Sequence, residues 1–495
     1  MKIFKQEKHR TIFEATDKEI NELKEKSVND PWKPRFHIHP EHGLLNDPNG
    51  LAYYNGKYHV FHQWYPFGVI HGMKHWAHLE SYDLVNWSRL PVAIIPEENY
   101  ESHGAYSGTS IEIDGKLYLY YTGNIKFDNI NRSANQCLAI MDEYGEITKH
   151  KNNPLILGVP EGYTGHVRDP KVFKKKDIYY MFLGAQRLDE TGTIIVYKSN
   201  DGIEWSFIGE LILENFDNDF GYMWECPDYI NIDGRDVLIF SPQGISPNGN
   251  KYNNIFSVIY LIGELDIENL KFKVEVFDEF ESGFDFYAPQ SFKGERKQPV
   301  VIAWAGMGEF EYPTDKNLWA NCLTFPRELN IQGNKLIQNP VKEIELLRDN
   351  HTYGNGEFNG TVEIKNTSNV YELELEIKSL NSNEFGINLL KSDKENLSLN
   401  FNKNNNIITL DRSNLVNGIV KEYGDTRSTE IHSMDIVNIR ILVDNSIVEI
   451  FINNGEKAFT TRVFPLEESI GIELFCDNII NYKYNKYCLK SGILK

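Results

Sequence analysis

One polar motif recurs five times between residues 36 and 325, and its spacing restricts the fold more than any other feature. The copies are NDPNGLAYYNGKYHVFHQW from Asn46, YSGTSIEIDGKLYLYYTG from Tyr106, RDPKVFKKKDIYYMFLG from Arg168, ECPDYINIDGRDVLIFSPQG from Glu225 and YAPQSFKGERKQPVVIAWAG from Tyr287. With Asp47, Ser107, Asp169, Glu225 and Tyr287 as markers, the gaps are 60, 62, 56 and 62 residues. Each copy runs from a short polar group through an apolar stretch and a turn into an aromatic or β-branched stretch. Asn55-Gly56, Asp114-Gly115 and Asp233-Gly234 are hairpin turns by composition. A period this long is outside the range of α-solenoids, and five four-stranded units closing a ring make a five-bladed β-propeller. In that geometry residues about 60 apart in sequence converge on one funnel, each motif heading its blade near the axis.

The flanks read differently. Residues 1–35 form a helical lead-in: Thr16 with Glu19 has the form of a capping box before Ile20 and Leu23. Residues 326–350 read as a linker with a short helix. From 351 to 495 strands such as VYELELEIKSL and IVNIRILVDNSIVEIFINNG alternate polar and apolar residues without the 60-residue period. That segment is expected to be a β-sandwich. The fold class is therefore all-β: a five-bladed propeller over 36–325 followed by a sandwich.

A net charge of −20 argues against a nucleic-acid partner. The stretch before residue 15 has no apolar h-region and no run of eighteen apolar residues occurs, so neither a secretory signal nor a membrane partner is expected, and a cytoplasmic location is. Five scattered cysteines, at 137, 226, 322, 476 and 488, form no CxxC pair and read as reduced thiols. No metal or other cofactor is called for. The histidines of HIHPEH (37–42) alternate in direction and are assigned to packing, and Asp217 with Asp219 lacks the residues that complete an EF-hand loop. There is no phosphate-binding glycine loop and no nucleophile elbow. The sequence leaves the oligomeric state open and is compatible with a homodimer.

The repeat-heading motifs supply carboxylates. Breaking a glycosidic bond takes two carboxyl groups flanking the anomeric carbon. Asp47 sits in Asn46-Asp47-Pro48-Asn49-Gly50, where Pro and Gly shape a sharp turn and the neighbouring Asn can donate to an ionised carboxylate. An ionised, held carboxylate suits a nucleophile. Glu225 lies between Trp224 and Cys226, expected to form a poorly hydrated surround that suits a general acid. Asp169, next to Arg168, can stabilise an oxocarbenium-like transition state.

These same motifs carry a resemblance. LLNDPNG, HQWYPFG, HGAYSG, GHVRDPKVF, MWECPD, DFYAPQ and PREL, with VDNSIVEIFINNGEKAFTTRVFP at 443–465, resemble glycoside hydrolase family 32, in family order and over nearly the whole chain. The resemblance implies a retaining β-fructofuranosidase with Asp47 as nucleophile, Asp169 as transition-state stabiliser and Glu225 as acid/base. The two reacting carboxyl groups are then expected about 5–5.5 Å apart. It implies a fructosyl site lined by Leu45, Asn46, Gln63, Trp76, Tyr106, Ser107, Arg168, Tyr287 and Trp304. Leu44 and Leu45 depart from the Trp and Met of many members, which alters the pocket wall and not the carboxylates. FHQWYPFG, HGMKHWAH and ESHGAYSG look most like the bacterial sucrose-6-phosphate-cleaving branch. Lys74, His71 and His75 are the candidates to hold a phosphate. The implied partner is a small sugar, sucrose 6-phosphate or sucrose. A fructan exo-hydrolase and a non-catalytic sugar-binding propeller are the alternatives.

Overall fold

The computed structural model describes residues 6–128, 131–217, 220–308, 310–419 and 421–493. Asp219, half of the calcium-like spacing, lies outside them. Five sheets, antiparallel in their four main strands, follow one another in a ring. The first comprises Gly43–Tyr54, Lys57–Tyr65, His75–Ser81 and Ser88–Ile94; the second Ser110–Ile113, Lys116–Lys126, Arg132–Met141 and Ile147–Lys149. The third runs from Tyr163–Lys175 through Ile178–Arg187 and Gly192–Ser199 to Ser206–Glu210. The fourth holds Met223–Ile232, Arg235–Gln243, Ile259–Asp266 and Lys271–Glu279. Asn55, Asp114 and Asp233 adopt positive φ ahead of their glycines, as the hairpin turns require.

The fifth blade corrects the domain boundary. Its inner strands are Tyr287–Phe292 and Val300–Ala305, and its outer strands are Arg327–Gln332 and Lys335–Pro340. Much of the linker expected at 326–350 is therefore blade. The two pairs of strands are separated by an excursion in which Trp319–Ala320 pairs in parallel with Gly43 and Leu44 of the first blade, while Cys322–Leu323 pairs with Trp304 and Ala305. That excursion ties the last blade to the first.

The lead-in contains the helix Asp17–Val28, with Thr16 Oγ1 accepting from Glu19 N at 3.2 Å. The Glu19 carboxylate pairs with Arg10 instead of returning to the cap, so the full capping box is made one turn earlier, by Thr11 and Glu14. The C-terminal domain is a two-layered β structure joined by the long strand Gly471–Leu489. Its first half pairs with Glu384–Lys391 and its second with Val370–Lys378, so one strand serves both layers.

The seam between propeller and sandwich is built from buried charges. Asp444 accepts from the backbone N–H groups of Arg35, Phe36 and His37 at 2.7, 2.9 and 3.0 Å. His37 Nδ1 meets Asp444 at 2.8 Å and Nε2 meets Glu449 at 3.2 Å. Arg327 grips Glu449 through Nε and Nη2, at 3.0 and 2.9 Å. Burial opposes charge on His37, but the two carboxylates win and raise its pKa above the usual value. The HIHPEH histidines are thus packing residues, as expected, and His37 is an ionic clasp as well.

Candidate active site

A local irregularity in each innermost strand builds the site. In the third, fourth and fifth blades an X-Pro dipeptide bulges opposite a single residue of the next strand: Asp169-Pro170, Cys226-Pro227 and Ala288-Pro289. The residue before each proline has positive φ: 65° at Asp169, 49° at Cys226 and 49° at Ala288. Such a bulge turns the strand and re-aims side chains at the ring axis. In the first blade Asn46 and Asp47 are the bulged pair, opposite Gln63. In the second, Tyr106 and Ser107 bracket Thr122. The repeat markers are therefore not strictly equivalent: Asp47, Ser107 and Asp169 lie in their bulges, whereas Glu225 and Tyr287 precede theirs. Gly50 completes the first turn with φ of 54°, and a Cβ there would lie 2.9 Å from the Phe61 ring and 3.1 Å from Trp76.

The result is a pocket of about 320 Å³ lined by Asn46, Asp47, Gln63, His71, Lys74, Tyr106, Ser107, Arg168, Asp169, Glu225, Tyr287 and Trp304, all expected from sequence. Arg132, Gln243, Phe256 and Gly308 also line it and were not foreseen. Gln243 ends the second strand of its blade, as Gln63 nearly does in the first, so aligning second strands would have found it. Arg132 and Phe256 lie outside the repeated motifs.

Three expected lining residues are elsewhere. Trp76 is fully buried behind the pocket, in tilted contact with Phe61 and edge-on contact with Tyr121, and donates its indole N–H to Tyr106 O at 3.1 Å. Leu45 belongs to the apolar core. His75 is fully buried with both ring nitrogens engaged, Nδ1 with Met73 O at 3.0 Å and Nε2 accepting from Ile12 N at 3.1 Å. It anchors the lead-in to the first blade.

The three carboxylates have distinct partners. Asp47 Oδ2 accepts from Ser107 Oγ and, at 3.4 Å, from Gln63 Nε2. Asn46, expected to hold Asp47, instead accepts from Lys74 Nζ. Burial pushes the Asp47 carboxyl up to about 6, with Glu225 adding to the shift, while Ser107 and Lys74 oppose it. Burial likewise lowers Lys74 to about 7, against the pull of Asp47. Asp169 Oδ2 accepts from Cys226 N at 2.9 Å. Its pKa is raised by burial in spite of Arg168, with Glu225 and Asp47 adding to the rise. The Cys226 thiol touches both aspartates, 3.8 Å from Asp47 and 3.6 Å from Asp169, and burial beside them keeps it protonated.

Glu225 is held by Arg168 Nε at 3.0 Å, Gln243 Nε2 at 2.8 Å and the Tyr287 hydroxyl at 2.6 Å. The apolar collar expected from its neighbours is absent. Trp224 points into the core against Phe240, and Cys226 faces the aspartates. Adjacent residues on a strand point apart, so sequence neighbours do not form its surround. Among the described residues no three His, Cys, Asp or Glu side chains gather in a metal-binding group.

A ring of blades that brings three carboxyl groups and sugar-sized space to one funnel defines a glycoside hydrolase. The family models for the glycosyl hydrolases family 32 N-terminal domain and C terminal match residues 37–340 and 336–485, and the chain belongs to that family. It is 39% identical to a sucrose-6-phosphate hydrolase of Staphylococcus xylosus, covering 99% of both chains. It is 37% identical to one of Bacillus subtilis, covering 93% of this chain and 94% of that protein. Among solved structures it resembles the sucrose-6-phosphate hydrolase of Lactobacillus gasseri, with a TM-score of 0.91 and 35% identity over 98% of this chain and 99% of the other. A Bombyx mori β-fructofuranosidase in complex with sucrose matches with a TM-score of 0.84 and 29% identity, covering 97% and 98%.

Proposed function

We propose that this chain hydrolyses sucrose 6-phosphate, and sucrose less well, releasing β-fructose by double displacement. The observation that carries the reading is the meeting of Asp47, Asp169 and Glu225 in one pocket, each with different hydrogen-bond partners.

Glu225 protonates the glycosidic oxygen while an Asp47 oxygen attacks fructosyl C2. The bond from C2 to the leaving oxygen breaks as the bond to Asp47 forms. Glu225 then takes a proton from water, whose oxygen attacks C2 and frees Asp47, with net retention. Ser107 and Gln63 orient the attacking carboxylate. Arg168, Gln243 and Tyr287 fix the acid/base and do not react. Asp169, which no ion pair closer than 4.0 Å neutralises, provides negative charge near the ring as positive charge develops. A cytoplasmic location is part of the proposal, since a charged sugar phosphate does not cross a bilayer unaided.

The test is kcat/KM on both sugars. A preference of tenfold or more for sucrose 6-phosphate is expected. Equal values would remove the narrower substrate and leave the β-fructofuranosidase reaction; no release of fructose from either would refute the proposal.

A further inference from the structure

None of the three phosphate candidates chosen from sequence is free to take a phosphate directly. His75 has both ring nitrogens engaged. Lys74 is buried and spends its ammonium on Asn46. His71 is at the rim, but Lys74 and burial press it down to about 3, so it is neutral near pH 7.

A different set of cations stands at the mouth. Lys126 and Arg132 are direct cross-strand partners at the end of the second blade's central hairpin. Directly opposed residues share a face, with Cβ atoms about 4.5–5.5 Å apart, and like charges so placed repel. Thr122 N donates to Ser107 O, and Lys126, four residues on, stands about 13 Å farther along the same strand, close enough with Lys8 to act on His71 of the pocket lining. Arg132 lines the pocket itself. The lead-in adds Lys8, whose carbonyl accepts from Met73 N at 2.9 Å, beside Lys74. Among the described residues none of these three cations has a carboxylate within ion-pair distance, although the chain carries 71 acidic residues. Their fields are felt around them: Lys126 is lowered by burial, Arg132 and Lys8, and His166 of the next blade is pressed to about 3 by burial, Arg168, Arg132 and Lys126.

We infer that Arg132, Lys126 and Lys8 form the subsite for a dianionic phosphate on the leaving sugar, and so set the enzyme's choice between phosphorylated and plain substrate. The inference rests on the substrate reading above. An incoming phosphate relieves an uncompensated cross-strand repulsion and gains charge-assisted hydrogen bonds, with Arg132 able to bind it through two nitrogens at once. Because Lys8 belongs to the lead-in, that segment contributes to selectivity as well as to packing.

The test compares R132Q, K126Q, K8Q and the conservative R132K with the parent enzyme, reading the ratio of kcat/KM on sucrose 6-phosphate to that on sucrose. The ratio should fall about ten- to a hundredfold in R132Q and by smaller factors in K126Q and K8Q, with R132K between R132Q and the parent. Glucose 6-phosphate should inhibit the parent competitively and R132Q at least tenfold more weakly. A parent that prefers sucrose 6-phosphate while all four variants keep the same ratio would overturn the subsite. A parent with no such preference would instead overturn the substrate reading. Should R132Q fail to fold, K126Q and K8Q still probe the subsite, since neither side chain packs in the core. An unchanged ratio in both would then overturn it.

Discussion

The funnel and the propeller–sandwich seam both bury acidic side chains, and they treat them in opposite ways. At the seam Asp444 and Glu449 are fully compensated. Asp444 receives three backbone N–H groups and His37, and Glu449 receives His37, Arg327 and the backbone of Phe325. In the funnel the guanidinium within ion-pair distance of the carboxyls, that of Arg168, is committed to Glu225, and Asp47 relies on a hydroxyl and an amide. The same chemical group therefore serves cohesion in one region and reactivity in the other. Groups left undercompensated in a cleft are where catalysis is found.

Substitutions should separate the two regions. Asp47→Asn is expected to lower kcat at least about 10⁴-fold, as removal of a nucleophile does. It should also raise stability. The folded pKa of about 6 exceeds the ordinary carboxyl value of 3.8, so the ionised side chain disfavours folding above that range, fully so above pH 6. Since the side chain borders an open pocket, the gain at pH 7.5 should be about 1–2 kcal/mol, checked by denaturant titration. Lower stability in that variant would break the contrast between the regions.

Glu449→Gln should do the reverse, leaving Arg327 with only the more distant Glu281, at 3.8 Å, and His37 with Asp444 alone, at a cost of about 3–5 kcal/mol, with kcat of the folded protein nearly unchanged. Asp169→Asn should lower kcat about 10²–10³-fold, because it loses charge stabilisation and no covalent step. A loss as deep as that of Asp47→Asn would mean the two roles are misassigned.

Two pH effects are smaller. Asp47 must be ionised to attack, so kcat/KM should fall as pH drops through about 6. An acidic limb below pH 4.5 would contradict the burial account. At the seam His37 has a raised folded pKa, so its contribution is complete below its unfolded value of 6.5 and is lost as pH rises through the folded one. Stability should therefore decline on the alkaline side, and His37→Gln should flatten that decline.

Much of this was legible in the residues. The 60-residue period dictates a ring, and the motifs heading each repeat contain the three carboxyl groups. The register of those motifs was not legible. A bulge shifts which residue faces the axis: Asp47 is the second residue of its bulged pair whereas Glu225 and Tyr287 stand just before theirs, a displacement of two that only hydrogen-bond pairing reveals. The sequence does not distinguish Trp76 behind the pocket from an aromatic lining it, because the two read alike. The fifth blade's outer strands were missed because the excursion through residues 319–323 interrupts the repeat. Long-range partners such as His37 with Glu449 and Asp444, some 400 residues apart, leave no local pattern.

The central claim is that Asp47 becomes bonded to the fructosyl unit. Acid-quenching the enzyme during turnover of sucrose, digesting it and mapping the adduct by mass spectrometry tests this directly. The account predicts one hexosyl unit on the peptide containing Asp47, at the Asp47 side chain. An adduct on Asp169 or Glu225, or first-formed α-fructose with no adduct, would contradict it.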